Sequence, residues 1–244
     1  MGDVMYYEIK GSGECVLLLH GWGLNSKMMQ FISDDLCSSY QVINVDLPGF
    51  GNSKLDQVYD IKDYCLAIKK LLDSLNINEV YIVAHSFGAR IAFEYALNYV
   101  CKGLFLSGAA GIKDNISMSK KVSQRLYKCF KWLPLKWGSS DYQMANPIMK
   151  QVLVKCVNQD YLPLLKNIKI PVRLFWGNED KQTPLWMGKK ILEEMPQATM
   201  RIIYGGDHFA FKEHQALFLY DLKKFLKEGS KHEHYFNDDH FNIN

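Results

Sequence analysis

The first place in this 244-residue chain where chemistry can be read is a serine set between an apolar run and a helical pattern. The segment runs Val80-Tyr-Ile-Val-Ala-His-Ser86-Phe-Gly88-Ala-Arg-Ile-Ala. A turn that sharp brings strand and helix close together, so the residues two positions either side of the serine must be small. Ala84 and Gly88 meet that need, although glycine is the usual occupant of both places. Ser86 would then sit at a helix N-terminus, where unpaired N–H groups and the helix dipole favour developing negative charge. Its hydroxyl could act as a nucleophile, with the Phe87 N–H facing the oxyanion of a tetrahedral intermediate. The competing reading is that Ser86 merely caps a helix. The pattern small-x-Ser-x-Gly does not decide between them.

A second segment bears on that choice. Cys15-Val-Leu-Leu-Leu-His20-Gly21-Trp22-Gly23 reads as a strand ending in a glycine-rich loop. Such a loop can bring a backbone N–H, here that of Trp22, to the same oxyanion from the opposite side. One such donor is typically worth ~3 kcal/mol of transition-state stabilisation. His20 reads as a residue that braces this loop rather than as a base.

These residues need a frame to position them. Continuous apolar runs at 15–19, 41–46, 80–84, 103–107, 172–176 and 200–204 read as strands of a parallel sheet buried on both faces. Met5 to Lys10 reads as an antiparallel edge strand that feeds a Gly-Ser-Gly turn. Between the runs lie helical patterns. In the clearest, Ile61, Tyr64, Cys65, Ile68, Leu71, Leu72 and Leu75 share one face, and Asp60 is placed to cap the start. Further helices are predicted from Phe87 to about Tyr99, from Leu185 to Met195 and from Lys212 to about Lys227. The fold class is therefore α/β, with helices on both faces of a mostly parallel sheet.

Taken in order, His20-Gly-Trp-Gly23, Asp46-Leu-Pro-Gly-Phe-Gly51, the turn at Ser86 and a later Asp and His resemble the α/β-hydrolase family over roughly residues 5–228. The stretch from Val16 through Gly51 is especially similar to carboxylesterases that cleave the methyl ester of pimeloyl-carrier protein. The resemblance implies the α/β-hydrolase fold and a purely structural turn at Asp46. It also implies that acid and histidine follow the serine in that order. Gly177-Asn-Glu-Asp180-Lys-Gln-Thr-Pro184 matches the family's Gly-x-x-Asp-x-x-x-Pro, which makes Asp180 the acid, with Glu179 its rival. Some members place the acid after the sixth strand, but here that loop is Ser107-Gly-Ala-Ala-Gly111 and offers no carboxylate. Gly205-Gly-Asp-His208 matches the family's histidine loop, which makes His208 the base that takes the Ser86 proton. His85 is a common family choice beside the nucleophile and is expected to stand behind it. A serine rather than aspartate at position 86 argues against dehalogenase-type members.

Composition sets the outer limits. Apolar residues at 48% and charged residues at 23% are ordinary for a globular chain. A net charge of +3 gives no reason to expect a nucleic-acid partner. No apolar run approaches the ~20 residues needed to span a bilayer. Met1-Gly-Asp-Val-Met-Tyr-Tyr lacks the basic start and apolar stretch of a secretory signal, and Tyr6 breaks the myristoylation pattern that Gly2 invites. The six cysteines are scattered without a Cys-x-x-Cys pair, so neither a disulfide framework nor a zinc site is expected, and a cytoplasmic setting fits. His214 falls on a predicted helix, while His232, His234 and His240 fall in the tail. No metal and no cofactor is assigned.

The expected organisation is a core built from residues 1–111 and 166–228. A helical cap is inserted at 112–165, and a tail at 229–244 loses apolar periodicity. From Ile112 to Lys150 eight basic residues stand against Asp114 and Asp141, a local charge of +6 interleaved with aromatics. This is either a solvated helix face or a surface that attracts an acidic carrier protein, an acidic ester or an anionic membrane. Trp132 and Trp137, with Trp22 and Phe87, suggest an apolar pocket for a small or medium acyl ester. The expected activity is ester hydrolysis through an acyl-enzyme. The alternatives are carbon–carbon bond hydrolysis by the same triad, or a ligand sensor that retains the triad without turnover.

Overall fold

The computed structural model describes residues 5–113 and 147–229. Trp132, Trp137, most of the basic segment and the tail lie outside the described residues. Seven strands form one sheet in the order β1-β3-β2-β4-β5-β6-β7. They are β1 (Tyr7–Lys10), β2 (Cys15–Leu19), β3 (Gln41–Val45), β4 (Tyr81–His85), β5 (Gly103–Ser107), β6 (Val172–Gly177) and β7 (Ala198–Ile203). Only β1 runs antiparallel, pairing Tyr7 with Val45; every other neighbour is parallel. The α/β expectation holds, and five of its strands are within one residue of the expected bounds at both ends.

The periodicity explains the layers. Along β2 all five residues are buried, but alternate side chains serve opposite faces. Leu17 and Leu19 join one core with Ile43, Ile82, Leu72 and Ile91. Val16 and Leu18 join the other with Ile32, Leu36, Phe218 and Leu222. Each fully buried Leu, Val or Ile contributes roughly 1.5–3 kcal/mol relative to exposure, so a one-residue register slip would be prohibitive.

The helices are α1 (Gln30–Leu36), α2 (Ile61–Ser74), α3 (Phe87–Asn98), α4 (Pro147–Val157), α5 (Leu162–Leu165), α6 (Leu185–Glu194), α7 (Ala210–Glu213) and α8 (Gln215–Gly229). Asp60 caps α2 as expected, accepting from the amides of Lys62 and Asp63, while Asp63 accepts from the Asp60 amide. Such a cap is worth about 1 kcal/mol.

Three expectations need correction. The helix expected from Lys212 to Lys227 is two, broken at His214 (φ −110°, ψ 48°). The apolar pattern hides this break because Phe211 and Phe218 still reach the same core on either side of it. The last strand lies two residues earlier at its start than expected and is half-exposed rather than buried, since it forms the sheet's edge. Its expected final residue, Tyr204, is 82% exposed. Finally, the edge strand begins at Tyr7 rather than Met5, and α1 with the 3-10 turn at Ser26–Met29 before it is not among the predicted helices.

The sheet order fixes where a site can form. From β2 the chain passes outward to β3 and then returns across β2 to β4. The helix after β2 therefore packs in one core and the helix after β4 in the other. The segments leaving these strands meet at the carboxyl edge of the sheet, the usual ligand site of open α/β sheets. Residues 20–23 lie on the loop after β2, and Ser86 lies between β4 and the first residues of α3, Phe87 and Gly88.

Candidate active site

Ser86 lies where β4 turns into α3, with φ 50° and ψ −109°. A non-glycine residue at positive φ is strained by about 1 kcal/mol or more and needs its surroundings to hold it there. The Ser86 amide donates to Ser107 O at 3.0 Å, and its carbonyl accepts from the amides of Ala89 and Ala110, each at 3.1 Å. Three backbone bonds clamp the residue. Its hydroxyl makes no capping bond to α3, so the helix-cap reading fails. Gly88 is required by contact: a Cβ there would lie 2.5 Å from Leu19 O and 2.9 Å from His20 O.

The loop after β2 faces this turn. Leu24 N–H closes it onto Gly21 O at 3.2 Å, leaving Trp22 and Gly23 at its tip. A Cβ on Gly21 would lie 3.4 Å from the Ser86 Cβ, so the loop backbone rests on the serine. The Phe87 amide is the first of α3, where no intrahelical acceptor exists. His20 braces this loop, as expected. Leu47 N–H donates to its Nε2 at 2.9 Å, so Nδ1 carries the proton and donates to Gly21 O at 2.7 Å. Burial pushes this imidazole down to about 4, which keeps it neutral. The Asp46 turn is structural too: its carboxylate accepts from the amides of Ser26 and Asn52, at 2.7 and 2.8 Å.

Asp180 and His208 come from loops after β6 and β7, 28 residues apart, and meet at 2.7 Å between Oδ2 and Nδ1. Both are buried. The two loops are laced together, with Glu179 N–H donating to Gly206 O at 2.9 Å and Gly205 N–H to the Asn178 side chain at 2.7 Å. The other Asp180 oxygen accepts from the amides of Gln182 and Thr183, both at 2.8 Å. Both oxygens of the carboxylate thus act as acceptors, and an accepting Oδ2 requires the proton of a neutral His208 to sit on Nδ1. Nε2 is then left bare as an acceptor. The rival Glu179 is exposed.

Among the described residues, His208 takes its hydrogen-bonding contacts from Asp180 and Thr183 rather than from Ser86. Its tie to the serine runs through the adjacent residue: the rings of His85 and His208 pack with centroids 4.7 Å apart. His85 is fully buried, with Nδ1–H donating to Ser107 O at 3.1 Å. Burial, reinforced by charge on His208, drives it well below the ordinary histidine range. It therefore stands behind the site as a neutral ring.

Trp22 and Phe87 pack edge to face at 5.1 Å, and Phe50 and Tyr64 extend the group at 5.0 Å from Trp22 and 5.4 Å from Phe87. An apolar wall thus adjoins the Ser86 turn. Sequence reasoning had missed two residues. Gly108 lies under the acid–histidine pair, and Thr183 places its hydroxyl 2.8 Å from Asp180 Oδ2 and 3.2 Å from His208 Nδ1. Gly108 follows a strand and Thr183 precedes a proline, but nothing in those signals told which groups they would meet. Among the described residues no cluster of His, Cys, Asp and Glu could hold a metal ion, and no helix is long and apolar enough to cross a membrane.

Comparison with known proteins bears on the family and the fold. A family model described as the alpha/beta hydrolase family matches residues 16–219. A pimeloyl-[acyl-carrier protein] methyl ester esterase from Legionella pneumophila is 28% identical over 239 residues, covering 89% of this chain and 97% of its own. A 2-hydroxy-6-oxo-6-phenylhexa-2,4-dienoate hydrolase from Burkholderia cepacia is 25% identical over 257 residues, covering 90% of each. An esterase structure from Exiguobacterium antarcticum shares the fold at a TM-score of 0.79 and 21% identity, over 93% of this chain and 96% of that one.

Proposed function

The chain belongs to the alpha/beta hydrolase family, and from that premise we propose that it is a serine hydrolase acting on a small or medium acyl ester. In this reading Ser86 Oγ adds to the ester carbonyl while His208 Nε2 takes its proton. The oxyanion is met by the backbone N–H groups of Trp22 and Phe87. Collapse expels the alcohol, protonated by His208, and leaves an acyl group on Ser86. Water, deprotonated by the same imidazole, then releases the acid. Asp180 holds the Nδ1–H tautomer and balances the imidazolium.

One observation carries the proposal: a serine held at φ 50° without capping duty, on the sheet edge where Asp180 and His208 meet at 2.7 Å. Direct attack requires Ser86 Oγ to turn onto Nε2, a contact that commonly tightens only with substrate bound. The aromatic wall beside Trp22 and Phe87 supports an apolar acyl group. The basic segment between Ile112 and Lys150, together with the likeness to the Legionella esterase, supports an acidic carrier as one route of delivery.

A p-nitrophenyl ester series tests the reading. Turnover should be measurable on short to medium chains and abolished in Ser86→Ala. The likeness to the Burkholderia hydrolase favours a second reading, carbon–carbon bond hydrolysis by the same three residues. No ester turnover alongside Ser86-dependent cleavage of a vinylogous diketone would select it. Tight ligand retention without turnover would instead mark a sensor.

A further inference from the structure

We propose that Thr183 is a positioning residue that acts through Asp180 to set the proton affinity of His208; this rests on the triad reading above. Thr183 is buried, and its Oγ1 lies 2.8 Å from Asp180 Oδ2, 3.0 Å from Gly108 O and 3.2 Å from His208 Nδ1. The hydroxyl has one proton to give. Gly108 O and Asp180 Oδ2 can both accept it, while Nδ1 cannot, because it carries its own proton toward Oδ2 at 2.7 Å. The oxygen of Asp180 that faces the imidazole thus has two donors in reach, Nδ1–H and the threonine hydroxyl.

That second donor weakens the pull of the carboxylate on the Nδ1 proton and on a positive imidazole. Removing it leaves Asp180 in place, because the other oxygen keeps both backbone amides, Gln182 and Thr183. The electrostatic effect then outweighs any loosening: a barer carboxylate favours the imidazolium, and His208 is available as a base only at higher pH. The other charged and titratable groups around the imidazole do not compete. His85 from β4 is neutral and buried against it, while Glu179, Lys181 and Asp207 on the same loops are exposed.

The test compares Thr183→Val, which keeps shape without the hydroxyl, with Thr183→Ser, which keeps the hydroxyl. In Thr183→Val the acid limb of the pH–kcat/KM profile should move up by about half a unit or more, the order of one lost hydrogen bond. On that limb the rate should fall about threefold with KM little changed, and Thr183→Ser should restore both. The low-field Nδ1 proton resonance of His208 should move further downfield in Thr183→Val, a readout that needs no turnover. A resonance and an acid limb that both stay at the wild-type position would overturn the role of Thr183. A shifted resonance in a protein that cleaves no substrate would leave Thr183 in its role and sink the hydrolase reading instead.

Discussion

Replacing Asp180 with Asn separates the orienting role of the carboxylate from its packing. One side-chain oxygen accepts two backbone amides at 2.8 Å, and the other accepts Nδ1–H of His208 at 2.7 Å. An asparagine must keep its oxygen where the two amides are, since turning it would set its NH2 against two donors. Its NH2 therefore takes the place of Oδ2 and donates to Nδ1. The Thr183 hydroxyl can turn to Gly108 O at 3.0 Å, so no group is orphaned. The imidazole is forced into the Nε2–H tautomer, which has no lone pair for the Ser86 proton. Enforcing the wrong tautomer in a serine triad costs about ten-thousandfold in kcat, or about 5.5 kcal/mol of activation energy. The fold should lose only about 1–2 kcal/mol, the difference between a charge-assisted and a neutral hydrogen bond. Ester hydrolysis and urea unfolding on the same preparation read the two quantities. A folded Asp180→Asn protein that keeps more than a tenth of wild-type turnover would refute the reasoning.

Gly108→Ala should disturb the same pair from below, because a Cβ there would lie 3.1 Å from both Asp180 Oδ2 and His208 Nδ1, on a backbone at φ 50°. Turnover should fall about tenfold to a hundredfold, as checked by kcat on a p-nitrophenyl ester, with the protein still folded by circular dichroism. Buried His20 titrates at about 4 in the folded chain against an ordinary 6.5, so below pH 6.5 the unfolded state binds the extra proton. Its contribution to stability is complete above that pH and is lost as pH falls toward 4, by up to about 3 kcal/mol. Urea unfolding at pH 7.5 and 4.5 should show a smaller pH dependence in His20→Asn than in wild type. Replacing Lys121, Arg125 and Lys128 together with Gln should raise KM for an acyl-carrier-bound ester and leave a simple ester unchanged; hydrolysis of both substrates left as in wild type would remove the acidic-carrier proposal.

Much of this was legible because it depends on local patterns. The apolar runs at β2, β4 and β5 and the face of α2 follow from burial period, and Asp60 declared its cap before the structure placed it. The Ser86 turn was legible through the small residues that strand–helix contact requires. What stayed hidden depends on loops meeting across the sheet. Thr183 and Gly108 acquire their surroundings only when the ends of β5, β6 and β7 are brought side by side. The break at His214 was masked because the helices on either side of it feed one core. The edge position of β7, which leaves it half-exposed, is a property of strand order rather than of its own residues.

The proposed activity depends most directly on the nucleophilicity of one oxygen. Treating the protein with a fluorophosphonate and mapping the adduct by peptide mass spectrometry reads it without knowledge of the substrate. A single adduct on Ser86 is predicted, absent in Ser86→Ala and formed far more slowly in His208→Ala. An adduct on another residue, or unchanged labelling in His208→Ala, would contradict it.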